Sequence, residues 1–320
     1  MISQNITQLI GKTPMVELRA ISPGPQVQIL AKLEMFNPSG SVKDRAALGM
    51  IQQAEADGIL RRGETLVEPT SGNTGISLAM IAASRGYHFT ATMPASMSRE
   101  RQQILRALGA EVILTGSEEG MRGAIAEAER RVQEYGHVML SQFTNPANPE
   151  VHSTTTAREI LHDTGGCMDY FTAGVGTGGT FTGVGAVLRK EVPGIRLVAV
   201  EPANSAVLSG GPAGGHGVQG IGAGFIPAIM DTTLMDEVIT VTDDDAMSMA
   251  RRLAVEEGLF VGISSGAAAT AALKLAERAV SVTGARCGDV IRIVTILPDT
   301  GERYLSLLGD SYGPGGVSER

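Results

Sequence analysis

Short β-branched runs alternate with stretches of helical period from Ile29 onward, and a chain written in that alternation is confined to α/β architectures built on parallel sheets. Strand candidates are Ile29 to Glu34, Thr65 to Glu68, His88 to Met93 and Glu111 to Thr115, then Tyr170 to Val175, Arg196 to Glu201, Glu237 to Val241 and Val290 to Leu297. Between them, Ser41 to Asp57 sets Val42, Ala46, Ala47, Met50, Ile51 and Ala54 at helical spacing and stops at Gly58. Ser98 to Leu108 stops in the same way at Gly109, and Met121 to Tyr135 at Gly136; Asp243 to Glu257 reads as a later helix. No long linker interrupts the chain. The expected organisation is a smaller α/β unit over residues 45–145, enclosed by a larger one made of residues 1–44 and 146–310. Residues 311–320, rich in Gly and Ser, read as a flexible tail.

Composition narrows the choice. The 320 residues include 41 glycines, nearly twice the usual share of roughly 7%, without the Gly-X-Y period of collagen, so they serve turns and close approaches. Hydrophobic residues make up 43% but aromatics only 4%, and Trp is absent, which predicts a close-packed core of Ala, Val, Ile, Leu and Met. Twenty-six basic against 34 acidic residues give a net charge of -8; with the basic residues scattered, nucleic acid is not an expected partner. Cys167 and Cys287 stand in neither a metal-ligand nor a C-x-x-C spacing, so neither a disulfide nor a metal site is expected, and a reducing cytoplasm is the expected location. No signal-type N-terminus and no uninterrupted run of about 18 apolar residues occurs, so no membrane partner is expected.

The glycine-rich turns concentrate the candidate chemistry. Asn37 to Arg45 delivers Lys43 to the opening of a helix; read alone it is most simply a solvating lysine, yet the placement makes it a candidate covalent amine. Glu68-Pro69-Thr70-Ser71-Gly72-Asn73-Thr74-Gly75 gathers hydroxyls, an amide and backbone donors between a strand and a helix, suited either to capping or to holding a carboxylate. Gly174-Val175-Gly176-Thr177-Gly178-Gly179-Thr180 suits a phosphate, but matches neither the P-loop pattern nor the full dinucleotide fingerprint. In Gly262-Ile263-Ser264-Ser265-Gly266-Ala267 a serine caps the next helix or faces a heteroaromatic nitrogen, with Gly262 and Gly266 read as tight turns. The five histidines form no local metal motif, and His152 is either a cap or an orienting group.

In chain order, Gly11-Lys12-Thr13-Pro14, Gly40-Ser41-Val42-Lys43-Asp44-Arg45, Thr70 to Gly75, Gly176 to Thr180 and Gly262 to Ala267 resemble the cysteine synthase, or O-acetylserine sulfhydrylase, branch of the fold-type-II pyridoxal-phosphate (PLP) enzymes, from Thr7 to Leu305. The resemblance implies a tryptophan synthase beta-like α/β fold of two three-layer α/β/α domains with mainly parallel sheets. Residues 45–145 would be the mobile domain and the remainder the cofactor-binding one. It implies PLP (pyridoxal 5'-phosphate) held covalently by the catalytic Lys43, its phenolic oxygen met by Asn73, its phosphate by Gly176, Thr177, Gly178, Gly179 and Thr180, and its pyridine nitrogen by Ser264. Thr70, Ser71, Asn73, Thr74 and Gln142 would hold the substrate carboxylate. The implied reaction replaces the acetate of O-acetyl-L-serine by sulfide to give L-cysteine, in a homodimer whose cleft can take the C-terminal tail of serine acetyltransferase.

Within that branch, Gln219 to Pro227 looks like the sulfide-using form rather than an arginine-bearing thiosulfate or O-phosphoserine form, although Arg101 or Arg122 reaching the pocket would reopen the choice. Thr155-Thr156-Ala157-Arg158-Glu159 departs from the usual Thr-Thr-Gly-Pro-Glu, a change expected to alter a local turn. Cystathionine beta-synthase shares the core, but its haem-binding and regulatory additions have no room in 320 residues. A non-catalytic assembly partner of serine acetyltransferase is the alternative of another class, against which the intact Lys43 segment counts.

Overall fold

The computed structural model describes residues 2–70, 72–97, 99–279, 285 and 288–305; Ser71, Cys287 and the expected tail at 311–320 lie outside them. In chain order the elements are β1 (Met15–Glu17), β2 (Val27–Leu33), α1 (Lys43–Ala56), β3 (Thr65–Pro69), α2 (Asn73–Arg85), β4 (His88–Pro94), α3 (Arg99–Ala107), β5 (Glu111–Thr115), α4 (Gly120–Tyr135) and β6 (Val138–Met139). A broken helix follows: α5 (Ala147–Val151), a π-helical turn at His152–Thr156 and α6 (Ala157–Thr164). Then come β7 (Tyr170–Gly174), α7 (Gly179–Glu191), β8 (Arg196–Pro202), β9 (Glu237–Val241), α8 (Asp243–Glu256), α9 (Ile263–Ala279) and β10 (Ile291–Leu297).

These strands form two sheets, one of six in the order β1-β2-β10-β7-β8-β9 and one of four in the order β5-β4-β3-β6. Only β1 runs antiparallel to its neighbour. The parallel pairing of β2 with β10, in register from Val27 opposite Ile291 to Leu33 opposite Leu297, stitches the start of the chain to its end. Parallel strands buried on both faces need small, branched side chains, and the core supplies them. Against the larger sheet, α9 buries Ala267, Ala268, Ala269, Ala271 and Ala272. Gly266 is not a turn beside the site, as expected from the sequence; it lies within α9, where a Cβ would strike the carbonyl of Ala246 in α8. Its role is to let two helix backbones approach.

Lys43 opens α1 because the chain before it is tied down: Val42 donates its N–H to the Pro298 carbonyl at 2.8 Å, and Ser41 bridges to Asp299. Two residues on, Arg45 is 1% exposed and sits between two carboxylates. It holds Glu34 through Nε at 2.8 Å and Glu159 through Nη1 at 2.7 Å. Thr13 donates to Glu34 at 2.7 Å, the Gly11 N–H to Asn37 at 2.8 Å and the Lys12 N–H to Glu159 at 2.9 Å, while buried Lys32 pairs with Glu159 at 3.0 Å. The Gly11-Lys12-Thr13-Pro14 motif is thus the lid of a buried ion cluster. At the Ala157-Arg158 departure, directly after the π-helical turn, Ala157 is fully buried in the first turn of α6, and Arg158 reaches out to Glu191 at 2.6 Å.

The expectation that no disulfide forms is overturned at Cys167, which is disulfide-bonded. Short-range spacing was the wrong test, because the turn before β7 lies beside β10, with the Asp169 N–H bonded to the Arg292 carbonyl at 2.9 Å. The cysteine argument for a reducing compartment falls with it. Among the described residues no helix is long and apolar enough to cross a membrane.

Replacing Arg45 by Leu leaves two carboxylates without their shared partner, and denaturant unfolding is expected to show a loss of about 3–5 kcal/mol. A pH series gives a second expectation. Burial pushes the Glu159 carboxyl up, but the Arg45 bonds and charge outweigh it and hold the group at about 2, against 4.5 for a free one. A depressed carboxyl contributes stability that is complete above about pH 4.5 and is lost as pH falls through about 2. Glu159→Gln should therefore flatten that limb of the stability curve.

Candidate active site

The loops leaving the carboxyl ends of β3, β6, β7 and β10 meet the first residue of α1 at a cleft of about 490 Å³. Lys43, Thr70, Asn73, Thr74, Gln142, Gly176, Thr177 and Ser264 line it, and a narrow recess beneath it shares Lys43, Gly176 and Thr177 and adds Gly178 and Thr180. The sequence candidates are therefore brought together, with two exceptions. Ser71 lies outside the described residues. Gly179 does not line the cleft; it faces Asn148, whose Oδ1 would collide with any Cβ at 179.

Lys43 is half-buried, and desolvation lowers its pKa; the field of Asp299 and that of Glu34 oppose the shift. The amine also sits at the positive end of α1, which disfavours an ammonium further. A neutral amine is both a nucleophile and a base.

At the α2 end, the Thr70 hydroxyl accepts from the N–H groups of Gly72 at 3.4 Å and Gly75 at 3.2 Å, and Thr74 donates to Gln142 Oε1 at 2.6 Å. Helix N–H groups exposed at such an end favour a carboxylate. Glu68, which the sequence reading passed over, fixes the facing wall by accepting from the N–H groups of Leu140, Ser141 and Gln142 at 3.2, 3.0 and 3.0 Å. Asn73 donates to Asp299 Oδ2 at 2.6 Å and accepts from Arg303.

At the opposite wall the backbone turns into α7 with Gly178 at φ +84°, where a Cβ would lie 2.8 Å from Met230. Asn148 ties the two halves together, donating to Thr177 at 3.1 Å and to the Gln142 carbonyl at 2.9 Å. His152 gains a definite place: it is buried, its Nε2 pairs with the Thr180 hydroxyl at 3.2 Å and its Nδ1 with Thr156 at 2.9 Å. Burial first, then the charges of Arg45 and Lys43, hold its pKa well below the usual value, so it braces this loop as a neutral ring. Arg101 also lines the cleft and donates to Gln219, whereas Arg122 is not among the lining residues.

An amine-reactive aldehyde, a phosphate and a heteroaromatic ring all find matching groups here: the Lys43 amine, the glycine-walled helix end, and the Ser264 hydroxyl. The chain matches the family described as pyridoxal-phosphate dependent enzymes over residues 6–299. It belongs to that family. The cofactor of this PLP enzyme is pyridoxal 5'-phosphate, and its fold is type II. The chain is 52% identical to a cysteine synthase of Staphylococcus aureus over 303 residues, covering 94% of this chain and 95% of that one. A crystal structure of cysteine synthase from Entamoeba histolytica superposes with a TM-score of 0.91 at 43% identity, covering 100% of this chain and 93% of the other. One of O-ureido-L-serine synthase gives 0.92 at 42% identity, covering 100% and 98%. This PLP enzyme is of the cysteine synthase type and performs β-replacement in that family's sense. Gly178→Ala combines a left-handed backbone with the Met230 contact; equilibrium dialysis should show PLP affinity falling by at least about tenfold, the effect of some 1.4 kcal/mol.

Proposed function

We propose that the enzyme replaces the acetate of O-acetyl-L-serine with sulfide, releasing L-cysteine. The observation that supports this reading is a half-buried lysine, its pKa lowered by desolvation, placed between the start of α7 on one wall and the start of α2 on the other. Bound PLP supplies an electron sink for the α-carbon of an amino acid. Thr70, Asn73, Thr74 and Gln142, with the first amides of α2, hold the substrate carboxylate, and Ser71 of the same loop completes the set. Lys43 removes the α-proton and later returns it at the same carbon, while acetate leaves the β-carbon and sulfide adds there. Gly176 to Thr180 hold the phosphate, Asn73 meets the phenolic oxygen, and Ser264 offers the ring nitrogen a neutral hydroxyl rather than a carboxylic acid. The unit around the small sheet, residues 45–145, closes on the substrate against the cofactor-binding remainder. The same reading carries a homodimer and a cleft open to a serine acetyltransferase tail.

A second reading rests on Arg101. A cation at the mouth suits an anionic leaving group or sulfur donor, as in O-phosphoserine or thiosulfate chemistry. Kinetics of O-acetylserine, O-phosphoserine and serine, each against sulfide, thiosulfate and homocysteine, decide between the readings. The expected result is the highest kcat/KM for O-acetylserine with sulfide; preference for a phosphorylated donor or thiosulfate transfers the assignment to the Arg101 reading, and preference for serine with homocysteine to a cystathionine beta-synthase-like one. Lys43→Ala should abolish the covalent PLP absorbance and lower turnover by at least about a hundredfold.

A further inference from the structure

Asp299 lies at the carboxyl end of β10, and no step above uses it. It is fully buried, and its backbone is held on both sides: Ser41 bridges to it, and the Gly262 N–H bonds to its carbonyl at 3.1 Å. Oδ2 accepts from Tyr304 Oη at 2.5 Å and from Asn73 Nδ2 at 2.6 Å. Oδ1 is buried with no hydrogen-bond partner, and it occupies the space that a Cβ at Gly262 would need. A buried carboxylate oxygen left open is unfavourable unless a positive charge stands near it. Arg303 of the turn after β10 supplies such a charge, and Lys43 of α1 adds to it when protonated.

We propose that Asp299 is a positioning residue of the reaction, fixing the Asn73 amide in one orientation and keeping a negative charge beside the Lys43 nitrogen. The inference rests on the reading above in which Lys43 carries PLP and Asn73 meets its phenolic oxygen. Asn73 is clamped on both ends, its nitrogen by Asp299 and its oxygen by Arg303. The amide therefore cannot turn over, and its remaining N–H is the donor left for a phenolic oxygen; reversed, it would present an oxygen to an oxygen. The charge acts separately. An anion beside the nitrogen linking Lys43 to PLP favours its protonated, electron-withdrawing form. The surrounding charges are Lys43 and, behind it, Glu34 from the β2 side, Arg303 and Tyr304 from the turn after β10, and Arg101 of α3, which lies over the Tyr304 ring. Burial raises the Asp299 pKa, and Tyr304, Asn73, Arg303 and Lys43 oppose that shift without reversing it.

Asp299→Asn keeps an acceptor for Asn73 but removes the charge, and Asp299→Ala removes both. Each is compared with the parent as PLP-loaded enzyme, by pH titration of the bound cofactor's absorbance after thermal melting has shown an intact fold. Both variants should lower the pH midpoint by at least about one unit, the effect of losing a nearby opposite charge. The alanine variant should in addition alter the ratio of the cofactor's two absorbance bands, because its Asn73 amide is then held at its oxygen alone, by Arg303. Tyr304→Phe, which weakens the hold on Oδ2 but keeps the carboxylate, should move the midpoint in the same direction and by less. A midpoint unchanged in Asp299→Asn, or in Tyr304→Phe should the first variant not fold, overturns the proposal. Borohydride reduction and peptide mapping of the parent separate the two readings: PLP fixed on Lys43 with no shift in the variants rejects the Asp299 role alone, and PLP fixed elsewhere rejects the site assignment beneath it.

Discussion

Arg45, buried between Glu34 and Glu159, is the contact on which the site's geometry depends. It lies two residues beyond Lys43 on the same helix, and the groups it holds come from the short 3-10 turn after β2, the N-terminal turn and α6. An unpaired guanidinium or carboxylate in such a place is costly, so the cluster is made whole or not at all. The N-terminal turn, α1 and α6 are consequently set in one arrangement, and with them the direction from which the lysine enters the cleft. His152 extends this order to the far wall, since the π-helical turn that carries it also presents Thr155 to Arg45 at 3.3 Å and Thr156 to the imidazole.

The site is assembled across two sheets, and parallel strand direction explains how. Each contributing loop leaves a carboxyl end, where connections of the crossover type put helix N-termini against the cleft. Two of the helix starts that face it, those of α2 and α7, each offer backbone N–H groups to an anion. One suits a carboxylate and the other a phosphate, and the difference lies in the neighbours: Thr70, Thr74 and Gln142 surround the first, whereas glycine backbone and two threonines shape the second. Asn148 and Glu68 keep these walls in register through hydrogen bonds to backbone atoms of the 140–142 segment.

Much of this was readable from residues alone, for physical reasons. The strands over Glu111–Thr115 and Glu237–Val241 are β-branched runs bounded by polar turns, and the structure reproduces those bounds. The glycine-rich segments advertise a backbone that must come close to something. What escaped notice depends on long-range contact. β6 is two residues long, too short to show a period. The π-helical turn meets Arg45 through Thr155, a partner 110 residues away along the chain. Asp299 is 226 residues from the asparagine it holds, and an aspartate after a strand carries no motif. Gly266 was misread because a helix contact and a tight turn ask the same thing of a sequence, namely the lack of a side chain. Cys167 was misread because distance along the chain stood in for distance in space.

The space at Gly262 has a consequence for how such a chain can vary over time. The open oxygen of Asp299 fills the volume that any larger residue at 262 would claim, and Tyr304 closes the same space from the other side. Positions 262, 299 and 304 therefore form one unit of substitution: a methyl group at 262 becomes admissible only in a lineage that has first given up the carboxylate at 299. The order of steps, more than the tolerance of any single position, limits which neighbouring sequences can be reached.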